Sequence, residues 1–163
     1  MKLYKTNVIN WIFYFFIFLL VLVVGVGISN RWFIYNINVT NSLNGHVYVI
    51  KKNESVKRGD YIGFSWKGDE FYKPGAIFVK IVSGVPGDEV TVKDREVFVN
   101  GVKIGIAKEK SETGIPLSPI KPTKLKEGEY FVSTPYPHGY DSRYERVGLI
   151  SQNNVLGRAY EIF

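Results

Sequence analysis

Residues 11–28 form one unbroken apolar run, WIFYFFIFLLVLVVGVGI, and nothing else in the sequence limits the fold as strongly. No charged residue occurs between Thr6 and Asn30. As a helix the run is about 27 Å long, close to the ~30 Å hydrocarbon thickness of a bilayer, and Val8 and Ile9 extend it. Backbone polar groups in lipid must be satisfied within the segment, so the run is expected to be helical. Trp11, Phe13, Tyr14, Phe15 and Phe16 crowd one end, and Trp32 and Tyr35 lie just past the other, as in interfacial aromatic belts. A cleaved secretory signal is the competing reading. The run exceeds a usual signal core and no A-x-A site follows, although Val24-Gly25-Val26-Gly27 is small enough to keep that reading open. Lys2 and Lys5 precede the span and only Arg31 closely follows it, which favours the N-terminus inside. The expected division is residues 1–30 as tail and transmembrane helix, and residues 31–163 as an extracytoplasmic β-rich catalytic domain.

The chemistry open to the chain is narrowed by what it lacks. It has 163 residues, no cysteine and only two histidines, His46 and His138. Disulfides, thiolate zinc sites, iron–sulfur clusters, a cysteine nucleophile and a three-histidine metal site are excluded. Any nucleophile is expected to be a hydroxyl. Beyond residue 30 the 19 basic residues outnumber the 15 acidic ones by four. That surplus suits a surface near anionic lipid. No basic helix or stripe points to nucleic acid. The KEK at 108–110 and KPTKLK at 121–126 read as solvated loops.

After residue 46 the apolar pattern is that of strands. Val47-Tyr48-Val49-Ile50, Tyr61-Ile62-Gly63-Phe64 and residues 76–82, 89–92, 96–99, 102–106, 130–133 and 155–162 are predicted strands. Val85-Pro86-Gly87-Asp88 reads as a type II turn. Asn100-Gly101 reads as a hairpin turn. Residues 107–128 carry three prolines and read as a long loop. The expected fold is mainly β, a compact antiparallel sheet or barrel behind one N-terminal helix.

Two residues carry candidate chemistry. In Ala76-Ile77-Phe78-Val79-Lys80-Ile81-Val82, alternation puts a lysine on a strand that is apolar on both faces. A buried ammonium is costly, so its pKa falls toward neutrality and the amine becomes able to take a proton from a hydroxyl. The plainer reading has Lys80 snorkel to water from an edge strand. Ser42, in Asn38-Val39-Thr40-Asn41-Ser42-Leu43-Asn44-Gly45, is on its own a turn residue.

The two acquire meaning beside two longer signatures, Lys80-Ile81-Val82-Ser83-Gly84-Val85-Pro86-Gly87-Asp88 and Tyr140-Asp141-Ser142-Arg143-Tyr144 followed by Gly148. These resemble the type I signal peptidase family, whose members place a serine after a membrane span. They also carry a K-x-V-x-G-x-P-G-D stretch headed by a lysine and a D-S-R-x-x-G box near the C-terminus. Asn100-Gly101 and Gly157-Arg158-Ala159 fit as well. Size, the single span, N-x-T-x-S ending at Ser42, Tyr48 and Gly114-Ile115-Pro116-Leu117 look most like the conjugative-transfer (TraF-type) branch, which trims a pilin precursor.

The resemblance implies a serine endopeptidase with Ser42 as nucleophile and Lys80 as general base. The Ser42 N–H and the Thr40 hydroxyl form the oxyanion hole, and Asp141 and Arg143 brace the site. The alternative for Asp141 and Arg143 is an ordinary loop ion pair. No metal and no cofactor is called for. The implied partners are an exported preprotein or prepilin and the lipid bilayer. The implied location is a bacterial inner membrane, single-pass, with the catalytic domain in the periplasm or outside. Departures are Leu43-Asn44 after the serine, His46 where a glycine is usual, and Gly139 where many members carry a lysine-orienting serine. Water, Ser133 or Thr134 are the candidate substitutes for that serine. These departures keep open a catalytically inactive membrane-tethered β scaffold. His138 near Asp141 invites a Ser-His-Asp alternative. Leu43 and the strand near Phe78 are expected to line substrate pockets, and Trp66 and Phe71 form either a lipid-dipping rim or plain core.

Overall fold

In the computed structural model, which describes residues 2–40 and 42–163 with side chains from Val8 onward, the chain divides into two compact units, Met1–Phe33 and Ile34–Phe163. The orientation expected from Lys2 and Lys5 lies outside the described side chains. The first unit is essentially helix α1, Lys2–Ser29. Its Val8–Ser29 stretch is 22 residues long, about 33 Å as a helix, enough to cross a bilayer. Its apolar side chains are exposed all round, as suits a lipid-facing helix rather than an amphipathic one.

The second unit is two antiparallel sheets. The larger contains β1 (Phe33–Ile37), β2 (Val47–Lys52), β3 (Tyr61–Ser65) and β4 (Ile77–Gly84). The smaller contains β5 (Glu89–Lys93), β6 (Glu96–Val99), β7 (Val102–Ile106) and β8 (Thr123–Lys124). The chain then returns to the larger sheet through β9 (Glu129–Ser133), β10 (Ile150–Ser151), a 3-10 turn at Gln152–Asn154 and β11 (Val155–Glu161). The strand orders are β1-β2-β11-β3-β4-β9-β10 and β7-β6-β5-β8. Flat strands about 4.8 Å apart would leave β1 some 19 Å from β4. Yet Asn36 Nδ2 on β1 donates to the carbonyl of Ile77 on β4 at 3.4 Å. The larger sheet therefore curls on itself.

Alternation decides which side chains enter the core. Tyr48 and Ile50 of β2 point inward and pack with Leu43, Val79 and Ala159 inside the curl. The other face of the sheet supplies Ile62, Phe64, Val82 and Val132, which meet Val90, Val97 and Val99 of the smaller sheet. At β11 the bend around Gly157, at φ 150°, brings its Cα so near β2 that a Cβ would stand 2.0 Å from the Lys51 carbonyl oxygen. Asn100-Gly101 is the expected hairpin, with φ of 49° and 76°, and Gly87 takes the φ of 91° that a type II turn demands. Asp88 ties this turn to the smaller sheet by accepting from Arg58, the Val85 N–H and Asn100.

Residues 107–128 are more ordered than a loop. β8 pairs with β5, and an isolated bridge, Lys110 to Pro116, closes a small hairpin over 108–117. Arg95 holds this hairpin by donating to the carbonyls of Ala107, Lys108 and Leu117. β1, β8 and β10 lie outside the predicted strands.

Candidate active site

A cleft of about 570 Å³ opens in the second unit. Apolar Phe71, Tyr72, Ala76, Ile77 and Phe78 line it, together with residues of the 108–117 hairpin and His138. Ser42, Thr40 and Lys80 all line it. The curl of the sheet thus brings a residue near the start of the second unit to the same hollow as one on β4.

Ser42 sits on a turn fixed from several sides. Asn38 Nδ2 donates to the carbonyls of Leu43 at 3.2 Å and Gly45 at 2.9 Å. The Gly45 N–H donates to the buried Tyr48 hydroxyl, whose pKa burial pushes up to about 12. The N–H groups of His46 and Val47 both donate to the Phe163 carbonyl. Asn38 and Tyr48 are therefore site residues that the expected roles did not include. Their signal in the sequence was only their spacing around Ser42. Ser42 is 9% exposed, and its Oγ lies 2.8 Å from Thr40 Oγ1. Thr40 Oγ1 is in turn 3.0 Å from Asn38 Oδ1. A hydroxyl has one proton to give. With Thr40 donating to Asn38, Ser42 donates to Thr40, and a hydroxyl rotation at Thr40 is needed before it can donate to an oxyanion.

Lys80 is 6% exposed, so it does not snorkel from an edge: β3 and β9 flank it on both sides. Its ammonium makes no hydrogen bond with any described residue, including Ser42. Its Nζ stands 5.8 Å from the centroid of the Phe78 ring. Burial pushes its pKa down to about 8; the charge of Asp141 opposes the fall and that of Arg143 adds to it. With the pKa at about 8, roughly a tenth to a fifth of the amine is neutral near physiological pH, far more than for an ordinary lysine and the form a proton acceptor requires.

Asp141 and Arg143 form a buried bidentate pair. Arg143 Nε donates to Oδ1 at 2.8 Å and an Nη to Oδ2 at 2.9 Å. The same guanidinium donates to the carbonyls of Tyr136 and Gly139, pinning the segment that backs the cleft. Asp141 also accepts from the Thr134 N–H and hydroxyl. Its carboxylate is fully used, and His138 instead contacts Lys108 and stands 3.6 Å from Glu112. The Ser-His-Asp alternative has no geometry here.

One pocket expectation is corrected, and one open alternative resolves. Leu43, 5% exposed, is packed in the curl of the larger sheet and does not line the cleft, whereas Phe78 does. Trp66, 2% exposed and stacked on Phe78, is core and not a rim. Phe71 is half-buried between that core and the cleft. No cluster of three or more metal-ligating side chains occurs among the described residues.

An antiparallel β domain thus follows an apolar N-terminal helix, and Ser42 and the buried Lys80 line one cleft. Residues 8–163 match the signal peptidase, peptidase S26, family, and the chain belongs to it. Signal peptidase I of Bacillus licheniformis is 34% identical over 115 residues, 66% of this chain and 59% of that protein. Signal peptidase I of Bacillus amyloliquefaciens is 32% identical over 123 residues, 68% of this chain and 62% of that protein. The chain thus spans about three fifths of the length of these relatives. A crystal structure of a signal peptidase I from Enterococcus faecalis aligns at 23% identity with a TM-score of 0.40, covering 64% of this chain and 97% of that one.

Proposed function

We propose that this protein is a membrane-anchored serine endopeptidase that removes signal or leader peptides from exported precursors, with Ser42 as nucleophile and Lys80 as general base. The observation that carries the reading is the burial of Lys80 on the same cleft as Ser42. In the neutral form its amine takes the Ser42 proton as the hydroxyl attacks the scissile carbonyl. It then returns that proton to the leaving amine, and water releases the acyl group by the same route. The Ser42 N–H and, after rotation, the Thr40 hydroxyl steady the oxyanion. The curled edge at β1 and the apolar wall near Phe78 offer an extended peptide a place to lie. Names of the relatives in Bacillus support signal-peptide cleavage.

Within that reading the substrate is a pilin precursor of a conjugative apparatus, on the N-x-T-x-S start, Tyr48 and the Gly114-Ile115-Pro116-Leu117 segment. Val8–Ser29 anchors the chain in the cytoplasmic membrane with the N-terminus inside, and unit Ile34–Phe163 acts on the outer side.

The test is cleavage of candidate precursors by the full chain in detergent, beside Ser42→Ala and Lys80→Ala. Both variants are expected to fold and to be inactive, and the wild-type rate is expected to rise with pH through about 8 as Lys80 loses its proton. Wild-type cleavage by Lys80→Ala removes the base from the mechanism. Stable binding of precursors without cleavage favours the tethered scaffold.

A further inference from the structure

Beside its apolar lining the cleft carries a group of cations that the hydrolytic chemistry does not use. Lys108-Glu109-Lys110 reads in the sequence as a solvated loop. In the fold, the 108–117 hairpin places Lys108 and Lys110 on the cleft with Glu112 and His138, and leaves Glu109 out of the lining. The support under Lys108 is fixed: its N–H donates to the Tyr144 hydroxyl at 3.3 Å, and its carbonyl accepts from Arg95.

Counting donors and acceptors shows what the group lacks. Lys108 Nζ lies 2.7 Å from His138 Nδ1 and 2.8 Å from Nε2. An ammonium carries three N–H groups and no acceptor; a neutral imidazole has one acceptor nitrogen and one N–H, and an imidazolium has two N–H groups. Lys108 therefore donates to one ring nitrogen at most, and the other turns an N–H toward the ammonium. The Lys110 ammonium has no partner among the described residues. Glu112 supplies the one carboxylate among the described lining residues. Its side chain is 75% exposed and stands 3.6 Å from His138 Nδ1, beyond hydrogen-bond length. Neighbouring carboxylates are committed elsewhere. Asp141 serves Arg143 and Thr134, and Asp69 accepts from the Tyr140 hydroxyl and the Phe71 and Tyr72 N–H groups. The group is rich in donors, short of acceptors and net positive even with His138 neutral. A carboxylate set against Lys108 and the His138 N–H accepts from both and removes the mismatch between them.

We propose that Lys108, Lys110 and His138 form a specificity subsite that binds an acidic side chain of the precursor while the scissile bond lies at Ser42. The subsite opens on the cleft that holds Ser42 and Lys80, so the carboxylate that reaches it belongs to a peptide lying there. The proposal rests on the peptidase reading above and narrows its substrates to precursors with Asp or Glu near the cleavage point. The apolar lining takes apolar side chains of the peptide, and the ion pair at the hairpin sets which stretch of chain lies over the serine.

The experiment gives the full chain, in detergent micelles, a series of end-blocked precursor peptides. One residue at a time, on either side of the cleavage point, is Glu or its isostere Gln. At one position Glu is expected to raise kcat/KM roughly 5-fold over Gln, through KM, the scale of an ion pair in a half-open cleft. The preference is expected to shrink as salt rises. In Lys108→Gln with Lys110→Gln it is expected to disappear. In Lys108→Glu with Lys110→Glu, a peptide bearing Lys at that position is expected to overtake the Glu peptide, an inversion that a merely distorted hairpin does not give. The same peptides, fluorescently labelled, are titrated into Ser42→Ala, where Kd is expected to show the same preference for Glu. A series in which no position favours Glu by more than about twofold overturns the proposal. So does a preference that survives the loss of both lysines. If Ser42→Ala still cleaves, the dyad is wrong, while the preference for Glu and its loss in the lysine variants still decide the subsite.

Discussion

Replacing Lys80 with methionine is expected to abolish cleavage while making the protein more stable at neutral pH. Burial holds the amine at about 8 in the folded chain against an ordinary 10.5, a gap worth roughly 3 kcal/mol at about 1.4 kcal/mol per pH unit. The sign follows from proton counting. Below about pH 8 folded and unfolded chains both carry the proton, and the folded state bears the full cost of a buried ammonium. Between about 8 and 10.5 the unfolded chain binds more protons, so wild-type stability climbs with pH. Above that range the cost is gone. Methionine is unbranched, fills a similar space and carries no charge. The variant is thus expected to gain up to roughly 3 kcal/mol at pH 7, or about 10 °C in Tm for a domain of this size. The gain is expected to vanish near pH 11. Thermal or urea unfolding of the full chain in detergent at the two pH values measures it. A variant no more stable than wild type at pH 7, or a difference indifferent to pH, refutes the reasoning.

Thr40→Val is expected to cost kcat about 100-fold, the worth of one oxyanion donor, with Thr40→Ser retaining activity; steady-state kinetics at saturating precursor decides it. Asp141→Asn leaves the buried Arg143 guanidinium without its carboxylate, and a loss of roughly 3–5 kcal/mol is expected in urea unfolding. Arg95→Gln removes the clamp on three carbonyls of the 108–117 hairpin. Faster hydrogen exchange confined to that hairpin is expected, with a stability loss of about 1–3 kcal/mol.

The longer strands from β2 onward, the membrane-length helix and the two glycine turns were readable because each rests on local pattern: alternation, an uninterrupted apolar run, and residues that tolerate positive φ. β1 was not readable. Its outward face shows Tyr35 and Ile37, both more than half exposed, so alternation gives no core face, and its place depends on pairing with β2. Leu43 was misplaced because an apolar residue beside a nucleophile candidate reads equally as pocket or core, and only the curl of the sheet distinguishes them. Trp66 was open for the same reason. The order within 107–128 escaped notice because it depends on contacts outside the segment, Arg95 for the 108–117 hairpin and pairing with β5 for β8. At the site, residue types at 42 and 80 pointed to chemistry, but burial of Lys80 and the exclusion of His138 from Asp141 are consequences of packing. The crowding of Gly139 by Thr134, whose Oγ1 a Cβ at 139 would meet at 2.0 Å, is a tertiary fact with no sequence signature.

The central claim is that Ser42 becomes covalently acylated with Lys80 as its base. Mass spectrometry of the full chain quenched during turnover of a precursor-derived peptide ester tests it directly. The account predicts an acyl group on the peptide bearing Ser42, accumulating faster as pH rises through about 8 and absent in Lys80→Ala. An adduct on another residue, or one formed at the wild-type rate without Lys80, contradicts it.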